Sequence, residues 1–383
     1  MLKKQVQNIC RYISPIYIGT YLRYQINRLG LTPESKAIKK KNGKNIEHFK
    51  DCKNSLYQFG CDFPKAANLF IDTYKNKTVK SVKVLDVPLD ENDAIALCVV
   101  KDDLLRVKAH IEYHRQIGIK HFAYIDNMST DGTFEWLKEQ KDVSLFRTDE
   151  KFCGGTVQFA WRRQVTDLFG YERWYLNLDS DELFMYPGVE SKKINEYICF
   201  LEKNKINSAF SLMVDMYAKG KIFEMTGNYD FIKDYCYFDV DTYKKRYHYT
   251  FPNINGGPQV RVFSTKGWQT KFPLSKISKS MICNNHYNFP VKLNWGVEAP
   301  IAFLLHYKFL PSDNVKYKNI AKSGNYALGS QKYKRYVEAL NKKPDISFYF
   351  NRSQKFNNSM DLLKLKVIDK VFLKNFLNFK IIK

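Results

Sequence analysis

The sequence predicts an α/β fold built on an open, doubly wound, mainly parallel sheet. Three observations carry that prediction: four short apolar runs, three helical patterns alternating with them, and acids gathered where the runs end. Ala94-Ile95-Ala96-Leu97-Cys98-Val99-Val100 is continuously apolar, as a strand buried on both faces must be. Asp102 or Asp103 is placed to cap the next helix, Leu104 to Ile117, which stops at Gly118. His121 to Ile125 is a second strand, and Ser129-Thr130-Asp131-Gly132-Thr133 turns into a helix through Phe134, Trp136 and Leu137. Val143 to Arg147 is a third strand, Thr156 to Phe169 a third helix, and Trp174 to Leu178 a fourth strand running straight into Asp179. Such alternation builds βαβ crossovers, and ligands then collect beyond the carboxyl ends of the strands. Three strand ends accordingly place Lys101-Asp102-Asp103, Asp126-Asn127 and Asp179-Ser180-Asp181-Glu182 on one rim.

The flanking segments divide the chain into three parts. Residues 1–88 form a lysine-rich N-terminal extension of unassigned role, with a broken helical pattern from Ile9 to Leu29 and a polar stretch from Ser35 to Lys50. The catalytic domain is expected over 89–310 and a helical C-terminal region over 311–383. Past the acidic run, a helix is expected around Ile194 to Leu201, then an apolar strand, Ala209 to Val214, ending in Asp215. Residues 220–255, rich in Tyr, Asp and Lys, read as a long loop over a site, and Gly256 to Phe263 as a turn into a strand. From Asp361 to Lys383, Leu365, Ile368, Phe372, Phe376 and Phe379 share one helical face, and Lys366, Lys370 and Lys374 another. Such a basic amphipathic helix either lies on an anionic membrane surface, or packs its apolar face on the catalytic domain or a second copy.

Composition narrows the function classes. At 383 residues with 44% hydrophobic content the chain buries one large core or two moderate ones. It holds no run of roughly 20 apolar residues suited to crossing a membrane, and its start lacks a secretory pattern, so a cytoplasmic location is expected. The eight cysteines form no C-x-x-C pair and read as reduced thiols. Lys+Arg 62 against Asp+Glu 39 gives a net charge of +23, which suits a polyanionic partner or is compositional drift in a lysine-rich chain.

The acidic run carries the chemistry. A diphosphate leaves only when its developing charge is neutralised, and a hard divalent cation does so without proton transfer. Carboxylates at Asp179 and Asp181, on a turn leaving a buried strand, can both face such an ion. An Asp-x-Asp triplet alone is a weak signal; its place after the fourth alternating strand, followed by Glu182-Leu183-Phe184, makes it specific.

Four ordered motifs point further: Val99-Val100-Lys101-Asp102-Asp103, Glu112-Tyr113-His114-Arg115-x-x-Gly118, Tyr124-Ile125-Asp126-Asn127-x-Ser129-Thr130-Asp131-Gly132-Thr133, and Leu178-Asp179-x-Asp181-Glu182-Leu183-Phe184. Over roughly residues 94–310 the chain resembles bacterial family 2-like glycosyltransferases related to family 92. The resemblance implies the GT-A fold, a nucleotide-diphosphate sugar donor such as a UDP-sugar, Mn²⁺ or Mg²⁺, hexosyl transfer and inversion at the anomeric carbon. It makes Asp126 a nucleoside contact and gives Asp179 and Asp181 the metal and diphosphate, while Asp131 is equally suited to capping a helix. Lys101, Asp103 and Asn127 join the nucleotide-sugar contacts, although relatives show Lys-Asn-Glu where this chain has Lys101-Asp102-Asp103. Gly256-Gly257-x-x-x-Arg261-Val262-Phe263, Leu274-Ser275-Lys276, Asn285-His286 and Leu305-His306-Tyr307-Lys308 look like distal elements of the family. Arg261 and Lys276 are then diphosphate clamps, and His306 a third metal ligand or a packed histidine. An inverting transfer needs a carboxylate base, for which Asp215, Glu298 and Glu182 stand. Trp161, Trp268 and Trp295 stack on sugars or belong to the core.

The resemblance also implies a bacterial surface glycan, lipopolysaccharide or capsule, and a glycan or lipid-linked glycan acceptor that would draw the protein to the inner membrane. The competing readings are a basic nucleic-acid- or membrane-binding protein without catalysis, and a glycoside hydrolase. No ordered nucleic-acid motif is present and acids line the rim, so no nucleic-acid partner is expected. A turn-borne Asp-x-Asp suits a metal better than acid/base hydrolysis.

Overall fold

The computed structural model describes residues 74–152, 155–224, 230–247, 252–265, 267–279, 281–283, 286, 288–289, 297–324 and 327–381. The N-terminal pattern from Ile9 to Leu29, the stretch from Ser35 to Lys50, Asn285 and Trp295 lie outside these residues.

The first half follows the alternation of the sequence. Strand β1 (Lys80–Lys83) is followed by β2 (Ala94–Val100), α1 (Leu104–Gln116), β3 (His121–Asp126), α2 (Thr133–Glu139), β4 (Val143–Arg147), α3 (Gly155–Phe169) and β5 (Arg173–Leu178). Four of these strands pair in parallel in the order β4-β3-β2-β5, with β1 and a later strand, Leu274–Ile277, closing the edges antiparallel. Strand periodicity explains the layers: Ala94, Ala96 and Cys98 face Val107 and Ile111 of α1 and Leu137 of α2, while Ile95 and Leu97 face Val157, Trp161 and Val165 of α3. The start of α1 is capped differently from the expectation. Asp103 holds the N-cap position, but its carboxylate turns to Arg106 and Ser180, and the Leu104 N–H is accepted by Asp131 at 3.0 Å. Asp131 also accepts from the Thr133 N–H at 3.0 Å, so one side chain ties the starts of α1 and α2.

After the acidic turn come β6 (Glu182–Met185), α4 (Ile194–Lys203) and β7 (Ser211–Asp215). The segment expected as a bare loop, 220–255, instead holds α5 (Phe231–Asp234), β8 (Tyr237–Asp239), β9 (Lys244–Tyr247) and β10 (Pro252–Asn255). Its aromatic side chains explain the difference: Phe231, Tyr235, Phe238 and Tyr243 are buried. A second correction follows at once, because Gly256 to Phe263 forms helix α6 (Pro258–Phe263) rather than a strand. Val260 and Val262 suggest a strand by propensity, but Gly256 sits at φ +137°, where a Cβ would lie 2.3 Å from the Thr242 carbonyl oxygen, and Pro258 opens a helical first turn. The chain continues through β11 (Thr270–Lys271), β12 (Leu274–Ile277), β13 (Ile282–Cys283), β14 (Asn288–Phe289) and β15 (Ala302–His306). The second sheet has the order β11-β7-β15-β6, with β15 parallel to β7 and antiparallel to β6.

Helices α7 (Asp313–Ser323) and α8 (Ala327–Lys342) follow, then β16 (Ser353–Lys355) and α9 (Lys370–Leu377). Tyr317 and Tyr336 from α7 and α8 pack with Tyr217, Phe263, Phe309 and Phe348 in an aromatic cluster beside the second sheet. The tail is not one helix: a 3₁₀ turn over Ser359–Lys364 and a break precede α9. Its apolar face is buried, with Leu365, Ile368, Leu373 and Phe376 in the core and the Phe376 ring 4.9 Å from Tyr197. Of the two placements the pattern allows, the structure takes packing on the α/β core, while Lys366, Lys370, Lys374 and Lys380 face solvent. Among the described residues no helix is long and apolar enough to cross a membrane.

Candidate functional site

Parallel register brings the strand ends together, since Val100 pairs with Asp126 and Cys98 with Leu178. On the first sheet this rim is largely satisfied within itself. The Lys101 ammonium donates to the Asn127 carbonyl at 2.9 Å, and the Asn127 amide donates to the Thr148 and Glu150 carbonyls at 3.0 and 2.9 Å. Asp126 is buried, accepts from the Ser129 N–H at 3.1 Å and pairs with Arg147 at 3.3 Å. Asp103 pairs with Arg106 at 2.9 Å and accepts from the Ser180 hydroxyl, joining the first loop to the acidic turn.

The second sheet adds a row of reactive groups across its strands. Glu182 pairs in register with His306, and His306 with Asp215. Paired positions on neighbouring strands project to one face, so residues as far apart as Asp215 and His306, 91 positions in sequence, become neighbours. His306 Nδ1 lies 2.6 Å from Asp215 Oδ1, and its Nε2 lies 3.4 Å from Asp181 Oδ2. Asp215 further accepts from the Gln259 and Gln269 amides at 2.6 and 3.3 Å. Gly257 precedes α6 at φ +80°, a conformation that side chains rarely adopt, and a Cβ there would also crowd the Tyr243 ring at 3.2 Å. Lys271 of β11 reaches Asp179 at 2.8 Å and Glu182 at 2.5 Å, and Arg162 of α3 lies 3.5 Å from Asp179.

Exposure separates the three acids of the turn. Asp179 and Asp181 keep 33% and 22% of their side chains exposed, whereas Glu182 keeps 1%. The first two are open to a ligand and the third braces the turn, accepting from the Asp179 N–H at 3.2 Å. Burial would raise the Asp181 carboxyl, but the facing His306, with Lys308 and Arg106, holds it well below the usual carboxylate range. Against burial, Lys271 and Arg162 keep Asp179 low as well. Burial outweighs Lys271 at Glu182, whose carboxyl is raised. Burial also opposes charge on His306, yet Asp181 and Asp215 lift its imidazole to about 9.

These residues fit a hard divalent cation. Asp181, Glu182 and His306 each offer a ligand atom within 4.8 Å of the others. The 3.4 Å between Asp181 Oδ2 and His306 Nε2 approaches the roughly 3 Å that separates adjacent oxygen and nitrogen ligands about 2.1 Å from an octahedral ion. Asp215 behind Nδ1 is the carboxylate–imidazole support characteristic of metal-binding histidines, because it fixes the tautomer that leaves Nε2 free to coordinate.

The other residues named from the sequence lie elsewhere. Arg261 holds Asp239 with two bonds of 3.0 and 3.1 Å and donates to the Phe348 carbonyl. Lys276 pairs with Glu202 at 2.9 Å and aligns with Trp174, near the start of β5 rather than at the acidic turn. Lysine reaches that turn through Lys271 instead. Glu298 is exposed on the segment ahead of β15. Trp161 is buried with its indole N–H on Glu150 and belongs to the core. Trp268 is half-buried, its ring 6.3 Å from that of His286, whose Nδ1–H donates to the Thr270 carbonyl at 3.0 Å. Sequence reading missed Lys271, Arg162, Gln259 and Gln269. Arg162 falls within the predicted third helix, but no motif marks any of the four.

No family model matches the sequence, and no curated protein does. Among solved structures, the chain is similar to a mannosyltransferase from Pyrobaculum calidifontis in complex with GDP-Man and Mn²⁺, at 12% identity and a TM-score of 0.25, over 41% of this chain and 46% of that one. It is also similar to a nucleotidyl transferase from Methanothermobacter thermautotroptrophicus, at 11% identity and a TM-score of 0.25, over 59% of this chain and 96% of that one. The chain thus spans about half the length of the mannosyltransferase, 46%.

Proposed function

We propose that the protein is a metal-dependent, inverting glycosyltransferase that takes a nucleoside-diphosphate sugar, with a UDP-sugar as first choice, and transfers its hexosyl group to a glycan or lipid-linked glycan acceptor. The observation that carries this reading is the facing of Asp181 and His306 at 3.4 Å, beyond the end of a buried parallel strand, with Asp215 2.6 Å behind the imidazole. Asp181 and His306 are assigned to hold Mn²⁺ or Mg²⁺, with Asp179 as third ligand in place of the buried Glu182. The bound ion would supply the positive charge that a departing diphosphate requires.

The protein's own groups do the rest. Asp215 accepts the Nδ1 proton and so orients His306. Lys271 holds Asp179 and Glu182 together and keeps the turn from opening under the repulsion of its acids. The Lys101, Asp103, Asp126 and Asn127 network shapes the loops that receive the nucleoside. Of the three carboxylates considered as base, Asp215 and Glu182 are buried, whereas Glu298 is exposed. A place in lipopolysaccharide or capsule synthesis follows the family resemblance. Calorimetry of the full chain with uridine diphosphate, with and without Mn²⁺, tests the reading; nucleotide binding that ignores Mn²⁺, or none at all, would retire it. A screen of nucleotide sugars for hydrolysis or transfer then identifies the donor.

A further inference from the structure

A small cavity lies between α3 and the β5–β12 edge of the first sheet, joined to the acidic turn through Arg162. Its volume of about 10 Å³ admits one water-sized group. Arg162 and Arg163 of α3, Asn177 of β5, Ile277 of β12 and Met281 line it. Alternation along β5 turns Asn177, like Tyr175, away from the side of Trp174 and Leu176 and towards α3. Asn177 and Arg162 are only 4% and 3% exposed, yet among the described residues Asn177 Oδ1 and Nδ2 and Arg162 Nε and Nη1 have no hydrogen-bond partner. Buried polar atoms are nearly always partnered, and four on the residues of one cavity point to a ligand that satisfies them.

The chemistry of the lining selects an anion. Three of the four atoms are N–H donors, two of them on a guanidinium, and a second guanidinium, Arg163, lines the same space. Among the described residues no carboxylate lines it. Arg163 is already answered by Asp167 and by the Met281 carbonyl, each at 3.1 Å. Arg162 has less. Its Nη2 reaches the Leu178 carbonyl at 3.4 Å and Asp179 at 3.5 Å, both beyond the roughly 2.7–2.9 Å of a charge-assisted bond. Asp179 is in turn shared with Lys271 at 2.8 Å. A water would satisfy hydrogen bonds but leave the guanidinium charge as it stands, and phosphate or sulfate is too large for the space.

We propose that this cavity binds one small monovalent anion, chloride being the simplest, and that the bound anion answers Arg162 and so releases Asp179 to serve the metal. The site stands on the cavity alone, while its effect on Asp179 rests on the metal-holding reading above. Arg162 and a metal ion compete for the same carboxylate. An anion on the other nitrogens of the guanidinium offsets its positive field at Asp179, and an arriving cation then meets less repulsion.

Thermal unfolding of the full chain in EDTA tests the site, with chloride exchanged stepwise for the larger methanesulfonate at constant ionic strength so that screening is unchanged. The wild type should gain roughly 1–3 °C with chloride, saturably, as binding to the folded state requires. Asn177→Leu, which removes a donor, and Asn177→Asp, which sets a carboxylate beside Arg162, should both lose that response. Asn177→Asp keeps the test decisive if Asn177→Leu does not fold. No response in the wild type, as when water fills the cavity, or an equal response in the variants, overturns the anion site. Calorimetry with Mn²⁺ then reads the coupling: chloride should raise wild-type Mn²⁺ affinity by roughly three- to tenfold. Asn177→Asp in methanesulfonate should match the wild type in chloride. A melting response to chloride with unchanged Mn²⁺ affinity removes the coupling and leaves the site. The same melting response with no Mn²⁺ binding at all retires the parent reading and leaves the site.

Discussion

The two sheets carry acids at comparable places, yet the acids do different work. On the first sheet, Asp126 and Asp103 sit at strand ends and are answered by near neighbours: the Ser129 N–H, Arg147, Arg106 and Ser180. On the second, Asp181 and His306 face one another across the seam, with Asp215 behind, and Asp181 stays partly open to solvent. A carboxylate at the end of a parallel strand is thus no sufficient sign of a ligand site. What matters is whether the fold supplies its partners or leaves them to a substrate.

The largest effect expected is on the support of the second sheet. Ending the chain at Met360 removes Leu365, Ile368, Leu373 and Phe376 from the core, at roughly 1.5–3 kcal/mol each, which approaches the whole stability of an ordinary domain. The truncated protein should lose its cooperative thermal transition by circular dichroism. An unshifted transition would show that the tail is no part of the core.

Next comes Asp181→Ala, which should lower Mn²⁺-dependent uridine diphosphate affinity by more than about a hundredfold while the melting temperature changes little, since the side chain is partly exposed and its main structural role is through its backbone carbonyl. Near-normal nucleotide affinity in this variant would move the metal elsewhere.

The protonation of His306 sets a pH window. Its folded value of about 9 exceeds the ordinary 6.5, so in the metal-free protein its contribution to stability is complete below about 6.5 and is lost as pH rises through about 9. Mn²⁺ requires the neutral imidazole, and its affinity should therefore climb by up to about tenfold per pH unit between those values and then level. An affinity flat across that window would exclude His306 as a ligand.

The smallest effects compare the two sheets directly. Asp215→Asn should cost roughly ten- to a hundredfold in Mn²⁺ affinity, as the loss of an imidazole's orienting carboxylate commonly does. Asp126→Ala should leave that affinity within about threefold and instead destabilise the fold by about 1–3 kcal/mol, because the Ser129 N–H and Arg147 lose their acceptor. A reversed pattern, with Asp126→Ala weakening uridine diphosphate and not the melting temperature, would make Asp126 the nucleoside contact that the family resemblance implies.

Much of the first sheet was legible because its signals are local. A continuous apolar run such as Ala94 to Val100, alternating with helical stretches, leaves few ways to bury both faces, and strand ends then fall on one rim. The acidic turn was legible for the same reason. The segment 220–255 was misread because Tyr and Asp are polar by composition, whereas burial of their rings and the Asp239–Arg261 pair are decided by distant partners. Gly256 to Phe263 was misread because β-branched residues outweigh, in a local reading, a glycine conformation visible only against Thr242.

By itself, then, the sequence determined the alternating α/β order, the Asp179–Glu182 turn at the end of a buried strand, and His306, Asp215 and Glu182 as residues of interest. Only the tertiary structure decided that those three stand in one row, that Asp215 is the partner of His306, that Lys271 rather than Lys276 meets the acids, and that the tail's apolar face is covered. The physical reason is register. Which residue of β15 lies opposite Glu182 or Asp215 depends on how whole strands bury their faces, and a shift of one position would turn His306 away from both acids.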